Sequence, residues 1–71
     1  MYKIKTKLKV LRAMKEITQY QLSEQAKVNF ILISNLERGK VKSMSIKSLV
    51  KLMDFFQCDF KDIIYLEKEG K

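Results

Sequence analysis

Apolar residues recur every three or four positions along most of the chain, which is the spacing of helices that bury one face. Residue types that cap the N-termini of helices precede four of these segments: Thr18, Asn29, Ser45 and Asp59. Strand patterns are weak, because β-branched residues are scattered and no Asn-Gly or Asp-Gly hairpin turn occurs. The pattern predicts an all-α fold, a compact bundle of four to five helices.

N-cap residues and C-terminal stop signals give the bounds of the first three predicted helices. The first is predicted near 5–15 and the second near 19–26, where Thr18 opens a capping box. The third runs over about 30–38 and ends at Gly39, because glycine readily adopts the left-handed conformation of a helix stop.

The second half of the chain is predicted to form the remaining two helices. The fourth follows Ser45 and is expected to bury one apolar face, made of Ile46, Leu49, Val50, Met53 and Phe56. A short fifth helix after Asp59 is expected to bury Phe60 and Ile63, with Ile64 next to them. A single domain would then span 1–71, with a core at about 7–66 and a frayed tail at 67–71.

Charge is unevenly distributed along the 71 residues, whose net charge is +7 at pH 7. Residues 1–51 hold twelve Lys and Arg against three acids, a net +9, whereas residues 52–71 hold three Lys against five acids, a net −2. Two interpretations stay open: an electrostatic surface for nucleic acid, or a solvated lysine-rich face. The lysines at the start of the chain pose the same choice between an arm onto phosphates and a solvated face: Lys3, Lys5, Lys7 and Lys9.

The amino-acid composition excludes several kinds of catalytic and metal-binding site. The chain has no His and one Cys, so it can form neither an imidazole base, a zinc site of His and Cys ligands, nor an internal disulfide. No catalytic group, metal, cofactor or small-molecule substrate is expected, and Cys58 is expected to be a buried, inert thiol. No apolar run reaches the ~20 residues of a membrane span, and the start lacks the apolar segment of a signal peptide. The expected compartment is a reducing cytoplasm.

The second and third predicted helices are joined by three residues, which is the spacing of a helix-turn-helix. The residues that make this spacing specific are Leu11-Arg12, Ile17-Thr18-Gln19, Leu22, Ala26, Val28, Ile33 and Leu36-Glu37-Arg38-Gly39-Lys40. Apolar residues continue the pattern at Leu49, Leu52, Phe56, Cys58 and Ile63. Over about residues 7–66 the chain resembles the phage-repressor and Cro-type, lambda-repressor-like helix-turn-helix family. The resemblance implies a bundle of four or five helices that binds operator DNA, usually as a dimer, with its third helix in the major groove.

The resemblance also carries individual roles onto this sequence. The residues that it places at the DNA are Thr18, Gln19, Asn29, Phe30, Ile31, Ser34, Asn35, Lys40, Lys42 and Ser43. Among them, Gln19, Asn35 and the loop residues Lys40, Lys42 and Ser43 are expected to contact phosphates. The candidates for reading base edges are Asn29, Phe30, Ile31, Ser34 and Asn35. Arg12 could contact a phosphate, but the resemblance pairs it with Glu37, so these two residues are expected to form a partly buried, structural ion pair.

The segment Phe30-Ile31-Leu32 departs from the polar residues that this family usually carries there. Because Ile33 and Leu36 already define the buried face, the three apolar residues cannot all be buried as well. Three interpretations stay open: contact with thymine methyl groups, docking of a protein, or packing of Phe30 against the second helix.

The expected function is that of a sequence-specific DNA-binding transcriptional regulator, a repressor, whose partner is double-stranded DNA. The alternative is a protein-interaction module on the same fold, an antirepressor or antitoxin-like partner that docks through Phe30-Ile31-Leu32. A homodimer is expected, because one helix-turn-helix unit reads only a few base pairs. The candidate dimer interface consists of Phe55, Ile64, Tyr65 and Leu66, and the segment 2–4 is the next candidate.

Overall fold

The computed structural model describes residues 2–68. Strand β1 (Tyr2–Thr6) is followed by helices α1 (Leu8–Lys15), α2 (Gln19–Ala26), α3 (Phe30–Glu37) and α4 (Ile46–Phe56). A single 3-10 turn at Phe60–Asp62 then leads into strand β2 (Ile64–Lys68). The helical bundle predicted from the sequence is confirmed, with a small two-stranded sheet added to it.

Local capping contacts explain where the helices begin. Thr18 Oγ1 accepts a hydrogen bond from the backbone N–H of Gln21 at 3.0 Å, and Gln21 Oε1 accepts one from the backbone N–H of Thr18 at 2.9 Å. Ser45 Oγ accepts one from the backbone N–H of Ser48 at 3.1 Å. Three helices end in a left-handed residue that is not glycine, each at a cost of about 1 kcal/mol: Glu16, Lys27 and Gln57.

Eight buried apolar residues from all four helices, the α2–α3 turn and the segment before β2 form the core: Leu8, Leu22, Ala26, Val28, Ile33, Leu36, Leu52 and Ile63. Cys58 is only half-buried and packs against this core. Burial raises the pKa of its thiol, and the carboxylates of Asp62 and Asp59 raise it further. The thiol therefore stays protonated at neutral pH, the unreactive form.

Helix α4 packs through only part of the face that the spacing predicted, since Leu49, Met53 and Phe56 pack against the core. Ile46 is 74% exposed and Val50 is 43% exposed, so neither is buried as expected. Leu52 is fully buried instead, with Leu49 and Met53 half-buried beside it. Because the apolar residues of this helix span more than half of its circumference, their spacing alone does not identify which of them pack against the core.

The predicted fifth helix is a single turn, Phe60–Asp62, and it ends early because the chain joins the sheet. The carbonyl of Ile63 accepts a hydrogen bond from the backbone N–H of Lys7 at 2.7 Å, and Ile64 begins β2. Ile63 is fully buried as expected, whereas Phe60 is 49% exposed and does not fill the core.

Strands β1 and β2 pair antiparallel, so the two ends of the described chain lie side by side. Ile4 lies opposite Leu66, and Thr6 lies opposite Ile64. Opposite residues of an antiparallel pair project from the same face, so these four share one face of the sheet. The hydroxyl of Thr6 donates to the carbonyl of Leu36 at 3.3 Å and fastens the sheet to the end of α3.

The sheet changes two expectations about the ends of the chain. The first helix begins at Leu8 rather than near residue 5, because residues 2–6 are extended. In the tail predicted to be frayed, Glu67 and Lys68 belong to β2, while residues 69–71 lie outside the described residues. The alternation of lysine with Tyr2, Ile4 and Thr6 has the period of a strand, but local periodicity cannot show that this strand pairs with so distant a segment.

The packing of α4 predicts unequal costs for two truncations of similar size. Leu52→Ala should lower the free energy of unfolding by about 3 kcal/mol, because it leaves a cavity in the core. Ile46→Ala should change it by less than about 0.5 kcal/mol, because the side chain is in water. Urea unfolding of both variants measures the difference, and equal costs would contradict this orientation of α4.

Candidate nucleic-acid interface

Ser23 fixes the turn between α2 and α3. Its hydroxyl donates to the carbonyl of Val28 at 2.6 Å, and its own carbonyl accepts from the backbone N–H of Val28 at 3.1 Å. Val28 is 4% exposed and belongs to the core, while Lys27 adopts the left-handed conformation that redirects the chain. The relative orientation of the two helices is therefore set by interior contacts.

Arg12, Gln19 and Glu37 form one hydrogen-bonded network between α1, α2 and α3. Arg12 donates from Nε to Glu37 Oε2 at 2.6 Å and from Nη2 to Glu37 Oε1 at 2.9 Å, a two-point ion pair. Gln19 Nε2 donates to the same Oε1 at 2.9 Å. Arg12 Nη1 also donates to the carbonyl of Ile17 at 3.0 Å. The side chains of Arg12 and Glu37 are only 17% and 5% exposed, so the pair is shielded from water.

The network sets the charge state of Glu37. Burial alone would raise the pKa of this carboxyl, but the hydrogen bonds from Arg12 and Gln19 and the charges of Arg12 and Lys9 outweigh it and lower the pKa. A carboxyl whose pKa is lower in the folded protein stabilises the fold above the pKa of the unfolded chain. That contribution is present at neutral pH and is lost as the pH falls through the lower pKa of the folded state.

The solvent-facing side of α3 lies opposite its buried residues. By helical geometry, Ile31, Asn35 and Arg38 share this side at positions i, i+4 and i+7. Ile31 is 66% exposed, and Arg38 is exposed and donates from Nη2 to Asn35 Oδ1 at 3.3 Å. Ser34 is half-buried on the flank of the same helix.

The three apolar residues that open α3 have different surroundings. Leu32 packs against the core, and Ile31 projects into solvent. Phe30 is 43% exposed, and its ring meets that of Tyr20 edge to face with the centroids 6.4 Å apart. Asn29 caps the helix, because its Oδ1 accepts from the backbone N–H groups of Ile31 at 2.7 Å and Leu32 at 3.2 Å. The packing of Phe30 against α2 is therefore present, and it leaves Ile31 exposed.

The loop after α3 alternates between core and solvent. Val41 and Met44 pack against the core. The residues between and before them are exposed: Lys40, Lys42 and Ser43. The left-handed Gly39, with φ +70°, opens the loop beside the Lys5 side chain. Two lysines and a hydroxyl thus face water next to the end of α3.

A sequence model of the Cro/C1-type helix-turn-helix DNA-binding domain matches residues 7–69. The chain belongs to the Cro/C1-type helix-turn-helix family. Its structure is similar to that of the transcriptional regulator VanUg, with a TM-score of 0.79 and 22% identity over 96% of this chain and 89% of that one. It is also similar to a protein from Bacteroides fragilis described as DNA-binding, with a TM-score of 0.68 and 27% identity over 87% of this chain and 98% of that one. A comparison with curated proteins gives no match.

In this Cro/C1-type domain the start of α2 carries unused donors. Thr18 satisfies the backbone N–H of Gln21, but among the described residues the backbone N–H groups of Gln19 and Tyr20 have no acceptor. The side-chain amide of Gln19 gives one hydrogen to Glu37 and keeps the second. Free donors at a helix N-terminus suit a phosphate.

Arg38 is exposed on this Cro/C1-type surface but is not among the DNA-contact residues that the resemblance implies. In the sequence it stands within the family signature, next to Glu37, and its spacing from Ile31 and Asn35 places it on the outward side of α3. Counting i, i+4 and i+7 from Ile31 would have found it.

The lysines at the start of the chain are partly engaged within the protein. Lys5 pairs with Glu67 at 3.5 Å, and the ammonium of Lys7 lies 6.0 Å from the ring centre of Tyr65. Lys3 and Lys9 are exposed. The question whether the N-terminal lysines contact DNA phosphates or only water therefore concerns chiefly Lys3 and Lys9.

The candidate dimer residues differ in accessibility. Phe55 and Ile64 are half-buried and pack against the core, and Phe55 also contacts Phe56 and the Lys15 side chain. Tyr65 is 45% exposed and Leu66 is 64% exposed. As neighbours in β2, these two project from opposite faces of the sheet, so one flat interface uses only one of them.

Residues 2–68 of this Cro/C1-type domain place no three His, Cys, Asp or Glu side chains close enough to hold a metal ion together. In the same part of the chain, every helix is too short or too polar to cross a membrane.

The buried ion pair predicts a strong non-additivity. Arg12→Met should lower the free energy of unfolding by about 3–5 kcal/mol, because Glu37 is then buried without its main partner. The double variant Arg12→Met/Glu37→Met should recover most of that loss, because no buried charge remains. Urea unfolding near pH 7 measures both.

The exposed pair Lys5–Glu67 provides the control, since its side chains are 35% and 57% exposed. Lys5→Met should cost no more than about 1 kcal/mol. A cost this small for Arg12→Met would show that the Arg12–Glu37 pair does not hold the helices together.

Proposed function

We propose that this protein is a sequence-specific transcriptional regulator that represses by binding operator DNA as a homodimer. Membership of a DNA-binding family is the observation that carries the proposal. The similar solved structures, one of a transcriptional regulator and one of a protein described as DNA-binding, agree with it. Repression follows from occupancy alone, because a bundle seated on a promoter excludes other proteins from it.

The proposed contact surface combines three parts of the helix-turn-helix. Backbone phosphates meet the free N–H groups at the start of α2, the second amide hydrogen of Gln19, and the exposed loop residues Lys40, Lys42 and Ser43. The outward side of α3 enters the major groove, where an α-helix fits. Thr18 contributes by capping α2, and Asn29 by capping α3.

A protein-docking module remains the second candidate, because Ile31 is a large apolar side chain that is 66% exposed. Leu32 no longer supports it, since that side chain packs against the core. Salt separates the two functions: binding through phosphates weakens steeply as salt rises, whereas an apolar protein contact does not. Selection of bound fragments from genomic DNA, followed by sequencing, tests the leading function directly.

The loop contacts predict a change in salt dependence. Lys40→Ala/Lys42→Ala should weaken binding to all DNA sequences and flatten the slope of log K against log salt by about 2, since each lost phosphate contact removes about 0.9. Fluorescence anisotropy of a labelled duplex at several salt concentrations measures the slope.

The control variant removes the same charge from outside the loop and outside the proposed dimer interface. Lys15→Ala/Lys61→Ala changes two exposed lysines and should leave the slope within about 0.5 of the wild-type value. Equal effects of the two double variants would mean that general charge, rather than the loop, supports binding.

The dimer is proposed to form through the exposed end of the sheet that carries Tyr2 and Leu66, beyond the part of that face where Ile4 and Ile64 pack against the core. Ile4 lies opposite Leu66 on this face, and Tyr2 is next along β1. Tyr2 and Leu66 are 60% and 64% exposed, although large and apolar. Two copies related by a two-fold axis would read half-sites about one helical turn, ~34 Å, apart.

The two faces of β2 allow a matched test of this interface. Leu66→Asp should give a monomer in sedimentation, while Tyr65→Asp, on the opposite face, should sediment as the wild type does. Both side chains are exposed, so neither change should prevent folding. A dimeric Leu66→Asp variant would place the interface elsewhere.

A further inference from the structure

The first turn of α3 has no polar side chain of its own to offer a base. Its first four residues, 30–33, are all apolar. The preceding Asn29 has its acceptor oxygen occupied by two backbone N–H groups, at 2.7 and 3.2 Å, and keeps only the N–H groups of its amide as donors. The first turn of α3, which would lie deepest in a major groove, therefore presents apolar side chains rather than hydrogen-bonding groups.

This apolar surface has a fixed shape. Ile31 projects from the helix with 66% of its surface exposed. Phe30 beside it is held by the ring of Tyr20, at a centroid distance of 6.4 Å and an angle of 61° between the rings. Tyr20 lies in the first turn of α2, so both helices of the helix-turn-helix contribute to this surface.

The charge around the surface identifies its occupant. Arg38 lies two turns further along the same side of α3, and the exposed Lys40 and Lys42 follow in the loop. The unused backbone donors at the start of α2 also attract anions. An exposed apolar surface next to cations and free N–H donors is complementary to a DNA groove that is flanked by phosphates and has an apolar group on the edge of a base. In the major groove that group is the C5-methyl of thymine.

Building on the proposed function, we infer that Ile31, supported by Phe30, reads thymine methyl groups in the major groove. Each operator half-site then contains thymine under the start of α3. Asn35 and Arg38 lie further along the helix and supply the hydrogen bonds to the adjoining bases. Specificity is thus divided along α3 between an apolar first turn and a polar second half.

Uracil substitution isolates the methyl group. Sites are first selected from random duplexes with the wild-type protein, and each thymine of the selected site is then replaced by deoxyuridine, one at a time. At one or two positions per half-site the affinity should fall about three- to fivefold, which is the expected effect of losing one buried methyl group. Fluorescence anisotropy at constant salt measures the change.

A double-substitution cycle assigns the methyl contact to Ile31. Ile31→Ala should bind the thymine and uracil forms of the site equally, because the partner of the methyl group is gone. Ile46→Ala, the same change at another exposed isoleucine, should keep the full wild-type difference between the two forms.

The outcomes separate this inference from the function on which it rests. If selection recovers no bound sequence, the proposed function fails and the inference fails with it. If a site is selected but no uracil substitution weakens binding, DNA binding stands and methyl reading is overturned. If Ile31→Ala binds as the wild type does, the apolar surface is free for a protein partner, and the inference is again overturned.

Discussion

The buried carboxylate of Glu37 determines how the elements of the helix-turn-helix are oriented. It lies at the end of α3 and accepts hydrogen bonds from Arg12 of α1 and from Gln19, the first residue of α2. A carboxylate that is 5% exposed is tolerated only while such donors surround it. Because Arg12 also donates to the carbonyl of Ile17, the same network fixes the chain just before α2. One interior interaction thus positions both the end of α3 and the start of α2.

The features predictable from the sequence are those in which neighbouring residues interact. Thr18, Asn29 and Ser45 cap their helices through contacts two or three residues away, so a short pattern was enough to find them. The helix-turn-helix is predictable for the same reason, because its two helices are joined by only three residues. The pairing of the sheet is not local, because Ile4 and Leu66 meet only when the bundle brings both ends of the chain together. The alternation of lysine with Tyr2, Ile4 and Thr6 is the period of a strand, but it does not identify the partner of β1.

The buried faces of two helices, α3 and α4, could not be fully assigned from the sequence, and the physical reason is the same for both. Helices α3 and α4 are apolar on more sides than the bundle can cover, so spacing allows more than one packed orientation. In α4 the core takes Leu52 and leaves Ile46 in water. In α3 it takes Leu32 and leaves Ile31. Only the surrounding helices decide which residue is buried, and that information is spread over the whole chain.

On the proposed DNA surface, the groups that contact phosphates differ from the groups that distinguish one sequence from another. Arg12 holds the fold together, and Gln19 and Asn29 do so with part of their side-chain amides, since one hydrogen of Gln19 and the oxygen of Asn29 are engaged. The groups proposed for phosphates are backbone N–H groups, the second hydrogen of Gln19 and loop lysines, and these do not distinguish one sequence from another. In the proposed complex, discrimination between sequences therefore depends on the outward side of α3, where Ile31 and Arg38 are exposed and contribute little to the core. Changes there can alter which sequence is bound without weakening either the fold or the hold on the DNA backbone.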